Sequence, residues 1–202
     1  GAGGGLLLDT AAVVLDRTTV SGNSSGNWGG GIEAHRGSLV LRNCTISGNH
    51  AAYHGGGIFV WGSDATVNIY SSSILSNEAD ADADVNGGLG GGVYNSAATV
   101  NVRNSLIAGN YLAGLPDYDD CYGTIGSYGM NLFTSAASVC NIVIGLGGTV
   151  YVNSLYAIGP LQANGGPTPT CALLAGSNAI DGTLAAYPCV NEASQPLLTD
   201  QR

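Results

Sequence analysis

Gly29-Gly30-Gly31-Ile32 decides how this chain is read, because the phrase returns as Gly3-Gly4-Gly5-Leu6, Gly55-Gly56-Gly57-Ile58 and Gly90-Gly91-Gly92-Val93. Its first glycines lie 29 − 3 = 26, 55 − 29 = 26 and 90 − 55 = 35 residues apart. A phrase recurring at such a period marks stacked supersecondary units, none of which buries its apolar face alone. Outward from each triplet the same features recur. An alternating pair comes first: Val13 and Leu15, Leu39 and Leu41, Val67 and Ile69, Val100 and Val102. A turn position follows at Arg17, Asn43, Ser71 or Asn104, then an apolar residue at Val20, Ile46, Ile74 or Ile107, and each unit closes on Asn23, Asn49, Asn77 or Asn110. Period-two alternation in short β-branched runs, broken by Gly, Asn and Ser, is a strand signal; the glycine density and the missing 3.6-residue period argue against helix. Each unit reads as one coil of three strands.

Stacked coils of this length predict an all-β parallel β-helix, a single-stranded solenoid in which like residues sit above one another at about 4.8 Å. The expected inward columns are Leu6/Ile32/Ile58/Val93, Leu15/Leu41/Ile69/Val102 and Val20/Ile46/Ile74/Ile107. Asn23, Asn49, Asn77 and Asn110 would form a ladder at one corner, a structural device before a functional one, since Asn tolerates left-handed backbone and hydrogen-bonds neighbouring main chain. Four coils fill residues 1–110 and a degenerate fifth follows. The domain reading is coils over 1–158 and an irregular C-terminal capping segment over 159–202, within one domain, the cap wrapping over the last coil to cover strand edges.

The balance of charge excludes whole classes of partner. The chain of 202 residues carries 14 Asp plus Glu against 5 Lys plus Arg, a formal charge of −9, which repels nucleic acid and anionic lipid. No apolar run approaches the roughly 18 residues of a membrane span. Residue 1 is Gly inside a repeat, so the chain is expected to be a mature or trimmed product of something longer.

Candidate sites are few. Leu7, Glu33, Phe59 and Tyr94 form the outward column beside the triplets, with Trp28, Tyr53, His54 and Trp61 in nearby loops. The first reading of these rings is packing along the stack; the second is a glycan-stacking face of Phe59, Tyr94, Trp28 and Trp61. Two acidic loops, one with Asp80, Asp82 and Asp84 and one with Asp117, Asp119 and Asp120, read first as solvated bulges and second as Ca²⁺ ligands, the one candidate cofactor ion. Cys44 shares a small inward column with Thr18, Ser72 and Ser105 and reads as a core thiol. Asp16, Arg42, Tyr70 and Arg103 form another outward column, read as a solvated face, while His35, His50 and His54 fall in loops without partners at metal-ligand spacing.

From Cys121 onward the repeat degrades into phrases with a different likeness. Asp120-Cys121-Tyr122-Gly123, Ser127-Tyr128-Gly129-Met130-Asn131-Leu132, the run from Gly159 through Asn164-Gly165-Gly166-Pro167 to Thr170, Ala172 to Asp181, and Thr199-Asp200-Gln201-Arg202 resemble the end of bacterial surface β-helix proteins of the choice-of-anchor Q type. Those proteins also resemble the polymorphic outer-membrane-protein repeats in phrases like Gly29 to Ile32 and Ser47 to Asn49. The likeness spans essentially the whole chain and implies a right-handed helix, secretion, cell-surface display and no transferable catalytic residue. Family members usually run on toward an anchoring segment, and this chain ends at Arg202. In a secreted protein the expected pairs are Cys121 with Cys140 and Cys171 with Cys189, each adding about 3 kcal/mol, although spacing alone leaves the connectivity open.

The functional expectation is a non-enzymatic extracellular structural or adhesive protein, self-associating end to end into a filament and touching surface polysaccharide. The alternative is a polysaccharide lyase or glycosidase, weakened by the lack of Lys and of a carboxylate pair on adjacent outward positions. An ice-binding Thr array fails after two rungs, because Thr19 and Thr45 continue as Ser73 and Leu106.

Overall fold

The computed structural model describes residues 3–82, 87–134, 140–145, 147–152, 157–180 and 193–195. Among these every regular element is a strand, and every strand ladder is parallel except one C-terminal hairpin. The pairings define four faces. Face A stacks Leu6–Leu8, Ile32–Ala34, Ile58–Val60, Val93–Asn95 and the start of Cys121–Tyr128. Face B stacks Ala11–Asp16, Gly37–Arg42, Ala65–Tyr70, Thr99–Arg103, the end of Cys121–Tyr128 and then Cys140–Ile144. Face C runs from Thr19–Ser21 through Thr45–Ser47, Ser73–Leu75, Leu106–Ala108 and Met130–Phe133 to Thr149–Val152. Because Cys121–Tyr128 belongs to both A and B, those faces join into one nearly closed sheet. The whole is an all-β arrangement of parallel sheets that fits a β-solenoid.

Face D corrects the three-strand reading of a coil. Ser24–Ser25, His50–Ala51, Glu78–Ala79 and Tyr111–Leu112 form a fourth, two-residue strand in each of the first four units. Two residues carry no periodicity, so this strand is invisible until the coils stack.

The predicted inward columns pair in register, and Ile32, Ile58 and Val93, Leu41, Ile69 and Val102, and Ile46, Ile74 and Ile107 are all fully buried. At about 25 cal/mol per Å² of apolar surface this continuous core drives the stacking. The glycine phrase has a steric cause. A Cβ on Gly30 would collide with the Gly56 carbonyl of the next coil, and a Cβ on Gly31 with the Gly57 carbonyl and the Asn49 amide. The turn column Arg17, Asn43, Ser71 and Asn104 is left-handed throughout, with φ from 46° to 51°. A second small column forms its own ladder, with Cys44 N donating to Ser72 Oγ (3.0 Å), Ser72 N to Ser105 Oγ (3.1 Å) and Ser105 N to Asn131 Oδ1 (2.9 Å). Cys44 is buried and free, and burial pushes its thiol pKa up.

The asparagine ladder forms at the corner before face D. Asn23 donates through its backbone N (3.0 Å) and Nδ2 (2.9 Å) to Asn49 Oδ1; Asn49 does the same to Asn77, and Asn77 to Asn110. Each Nδ2 after the first also donates to a carbonyl of the previous coil: Asn49 to Val20, Asn77 to Ile46 and Asn110 to Ile74. The bonds to each Oδ1 all run toward the C-terminal rung, so the last rung must supply an acceptor. Asp120 supplies it: Oδ1 takes Asn110 N and Nδ2 at 3.1 and 2.9 Å, and Oδ2 takes Thr134 N and Oγ1, both at 2.7 Å.

Of the C-terminal segment expected to cap the last coil, the described residues are 159–180 and 193–195. A hairpin, Ile158–Gln162 with Thr170–Leu173, lies along face C. Ile158, Cys171 and Ala179 pack on Leu75, Leu106, Ala108 and Leu132, while Thr168 Oγ1 donates to the Arg17 carbonyl and Thr19 Oγ1 to the Pro169 carbonyl. That cover is why Leu75, Leu106 and Leu132 are apolar at outward positions, and why the Thr array stops. Cys121 and Cys140 form the expected disulfide, with Cα atoms 5.3 Å apart. Cys171 is a free thiol beside Ser47, and Cys189, its expected partner, lies outside the described residues, as do Asp84 and Thr199 to Arg202.

Asp120→Asn tests the ladder. The substitution keeps shape but turns an N–H₂ group toward a buried donor on one side, so urea denaturation is expected to show a loss of about 1–3 kcal/mol. Unchanged stability would mean that the rung does not depend on an all-acceptor group.

Candidate functional site

The expected glycan-stacking rings form one stack that consumes its own faces. Trp28 lies 5.3 Å from Phe59, Phe59 5.1 Å from Tyr94 and Tyr94 4.7 Å from Tyr122, with planes within 14° of parallel. His54 adds a ring 4.5 Å from Tyr94, and Trp61 lies 6.2 Å from Phe59. Phe59 is 1% exposed, so it has no free face to offer a sugar; Trp61, 51% exposed, is the outlying ring. The column is therefore principally a packing device. Phe59→Ala is expected to cost about 3–5 kcal/mol in chemical denaturation, the range for opening a cavity at a buried aromatic.

The acidic candidates are not brought together. Among the described residues no three His, Cys, Asp or Glu side chains are grouped as a metal site would need. Asp117 and Asp82 are exposed, Asp80 is half-buried with its backbone N on the Tyr53 carbonyl, and Asp120 is the fully buried end of the Asn ladder. Asp119 is buried too. Its Oδ2 accepts from Gly90 N at 2.8 Å, while Oδ1 has no hydrogen-bond partner, and burial above all, with Asp120 adding to it, pushes its pKa up to about 6. The Asp119-Asp120 pair stands where earlier coils have the last two glycines of the triplet, since Gly92 N and Val93 N donate to the Asp119 and Asp120 carbonyls.

The sign of the pH effect follows from the raised value. Neutral Asp119 is favoured in the fold, so its contribution is fully present below the reference value of 3.8 and is lost as pH rises to about 6. Asp119→Asn keeps an acceptor for Gly90 and is expected to raise stability at pH 7.5 by on the order of 2 kcal/mol, with little change at pH 4. Parallel denaturation curves at the two pH values check this; an equal effect at both would refute the buried-charge account.

The histidines have partners that the sequence reading missed. His35 Nε2 meets Glu33 Oε1 at 2.5 Å, with Glu33 fully buried and its Oε2 taking Gly3 N at 2.6 Å. His50 Nδ1 meets Glu78 Oε2 at 2.5 Å across neighbouring coils of face D. The two glutamates thus sit on different faces, each tied to a histidine. His54 is held mainly by its stack, and burial lowers its pKa.

Face B carries a concave feature with convergent polar groups. A groove of about 160 Å³ is lined by Asn68, Tyr70, Asn101, Val102, Arg103 and Tyr128. The registers Asp16↔Arg42↔Tyr70↔Arg103↔Tyr128 place the predicted outward column in line and add Tyr128 to it. Beside it run Asn68, Asn101 and Gly126, with Asn101 Nδ2 donating to Asn68 Oδ1 at 3.0 Å. Gly126 supplies no side chain, and this opens the groove next to Tyr128. Arg103 Nε is buried and has no hydrogen-bond partner. Arg17 pairs with Asp16 at 3.5 Å and Arg36 with Asp9 at 2.7 Å, whereas Arg103 has no ion pair among the described residues. Periodicity marks these positions as outward but says nothing of Tyr128 or Gly126, which join the column from the irregular fifth coil.

No family model, curated protein or solved structure matches this chain.

Proposed function

We propose that this chain is a non-enzymatic, extracellular adhesive protein that uses a right-handed β-helix of about five coils as a rigid support and holds a glycan in the groove of face B. The observation that carries the reading is that groove, in which two tyrosine rings and two asparagine amides converge on an arginine with no partner. Aromatic rings take the apolar face of a sugar, and amides take its hydroxyls. Right-handedness follows from the strong preference of parallel strand crossovers for that hand. The Cys121–Cys140 disulfide supports an oxidising compartment, and the phrases shared with choice-of-anchor Q proteins point to the cell surface. Groove-lining side chains include no carboxylate, so the two-carboxylate chemistry of a glycosidase has no counterpart there.

The test is binding of the protein to a panel of immobilised polysaccharides, followed by size analysis of the recovered glycan. Retention of at least one glycan, intact, with a loss of about tenfold or more for Tyr128→Ala, is the expected result. Retention unaffected by that variant would remove the groove from the reading, and shortened glycan would replace adhesion by an enzyme.

A further inference from the structure

We infer that the face B groove selects a carboxylate-bearing sugar, a uronate unit of an acidic polysaccharide, through the guanidinium of Arg103. This rests on the glycan-binding reading above and adds the ligand class.

The chain has a formal charge of −9, yet on this face the column reads Arg42, Tyr70, Arg103, Tyr128, and the nearest carboxylate on it, Asp16, is three rungs from Arg103. At about 4.8 Å per rung that is roughly 14 Å, beyond the Debye length of about 8 Å at physiological salt. Arg103 is therefore a local positive site that no carboxylate of its own column neutralises. Packing then aims it. Tyr70 and Tyr128 occupy the registers on either side, and a Cβ at Gly129 would press to 3.1 Å of Arg103 Cγ, so the stem lies close against backbone. With Nε buried, the terminal Nη groups of this confined guanidinium are its donors toward the groove, and the ligand group that matches their charge and planar geometry is a carboxylate.

The remaining lining settles which carboxylate. The groove, at about 160 Å³, is well below the roughly 300 Å³ where pockets for drug-sized ligands begin, so it suits one small ring of a longer chain lying across an open face. Asn68 and Asn101 bind each other through one N–H···O contact, which leaves further amide donor and acceptor capacity for the ring hydroxyls. A peptide carboxylate would use Arg103 but not this amide pair. A polyphosphate would likewise leave the amide pair without ring hydroxyls to meet.

The experiment is titration of the protein with an oligogalacturonate and with the uncharged galactan oligosaccharide of equal length, using wild type, Arg103→Gln, Arg103→Lys and Arg36→Gln. The last variant makes the same charge change as Arg103→Gln at a distant, Asp9-paired arginine. The expected result is binding of the acidic oligosaccharide alone, weakened about tenfold or more by Arg103→Gln, weakened to a lesser degree by Arg103→Lys and unchanged by Arg36→Gln. Near-ultraviolet circular dichroism of each variant checks that the fold persists. Equal binding of both sugars, with loss of both in Tyr128→Ala, would overturn the uronate assignment and leave the glycan groove standing. Equal weakening by Arg103→Gln and Arg36→Gln would reduce the effect to net charge and overturn it too, and binding of neither sugar to wild type would also overturn it.

Discussion

The structure depends on one directional chain of buried hydrogen bonds, running from Asn23 through Asn49, Asn77 and Asn110 to the carboxylate of Asp120. A side-chain oxygen that accepts two N–H groups from one coil while its own amide donates to the next sets both the height and the rotation of the stack. In a buried corner any missed rung would leave unsatisfied donors, which is costly. The glycine triplet is the other half of the same device. The amides of Asn23, Asn49, Asn77 and Asn110 lie where a Cβ on Gly5, Gly31, Gly57 or Gly92 would stand. Triplet and asparagine recur together because each occupies the space that the other leaves.

With the core and this corner fixed, the four faces are free to differ. Face A closes its aromatic column on itself, which adds stability along the axis and removes ring faces from solvent. Face C is apolar at Leu75, Leu106 and Leu132 and lies beneath the C-terminal hairpin. Face D holds His50 against Glu78. Among the described residues face B combines exposed tyrosine, paired amides and a cation without an ion pair, and the proposed recognition is placed there.

Arg103 at the groove and Asp119 at the fifth coil each carry a buried side-chain atom without a hydrogen-bond partner. Their settings differ. Asp119 meets its conflict by shifting toward the neutral acid. An arginine keeps its charge at any ordinary pH. Arg103 therefore stays charged in the free protein, and the carboxylate we propose would supply the countercharge that its own column lacks.

The coil length, the three inward columns, the ladder asparagines and the outward line Asp16, Arg42, Tyr70 and Arg103 were legible in the chain itself, because stacking copies one-dimensional periodicity directly into space. The buried thiol of Cys44 was legible for the same reason, from its place in the repeat, whereas the Cys121–Cys140 pair was expected only for a secreted protein. What lacked a repeat was not legible. Asp120 read as a Ca²⁺ candidate because its partners, Asn110 and Thr134, stand 10 and 14 residues away at no shared period. The placement of the C-terminal hairpin, the Glu78–His50 pair and the entry of Tyr128 and Gly126 into the groove likewise depend on which coil lies beside which. Periodic side chains thus determined the stack by themselves, whereas every group that ends or covers the stack, or faces out from it, acquired its role only from neighbours that folding brought together.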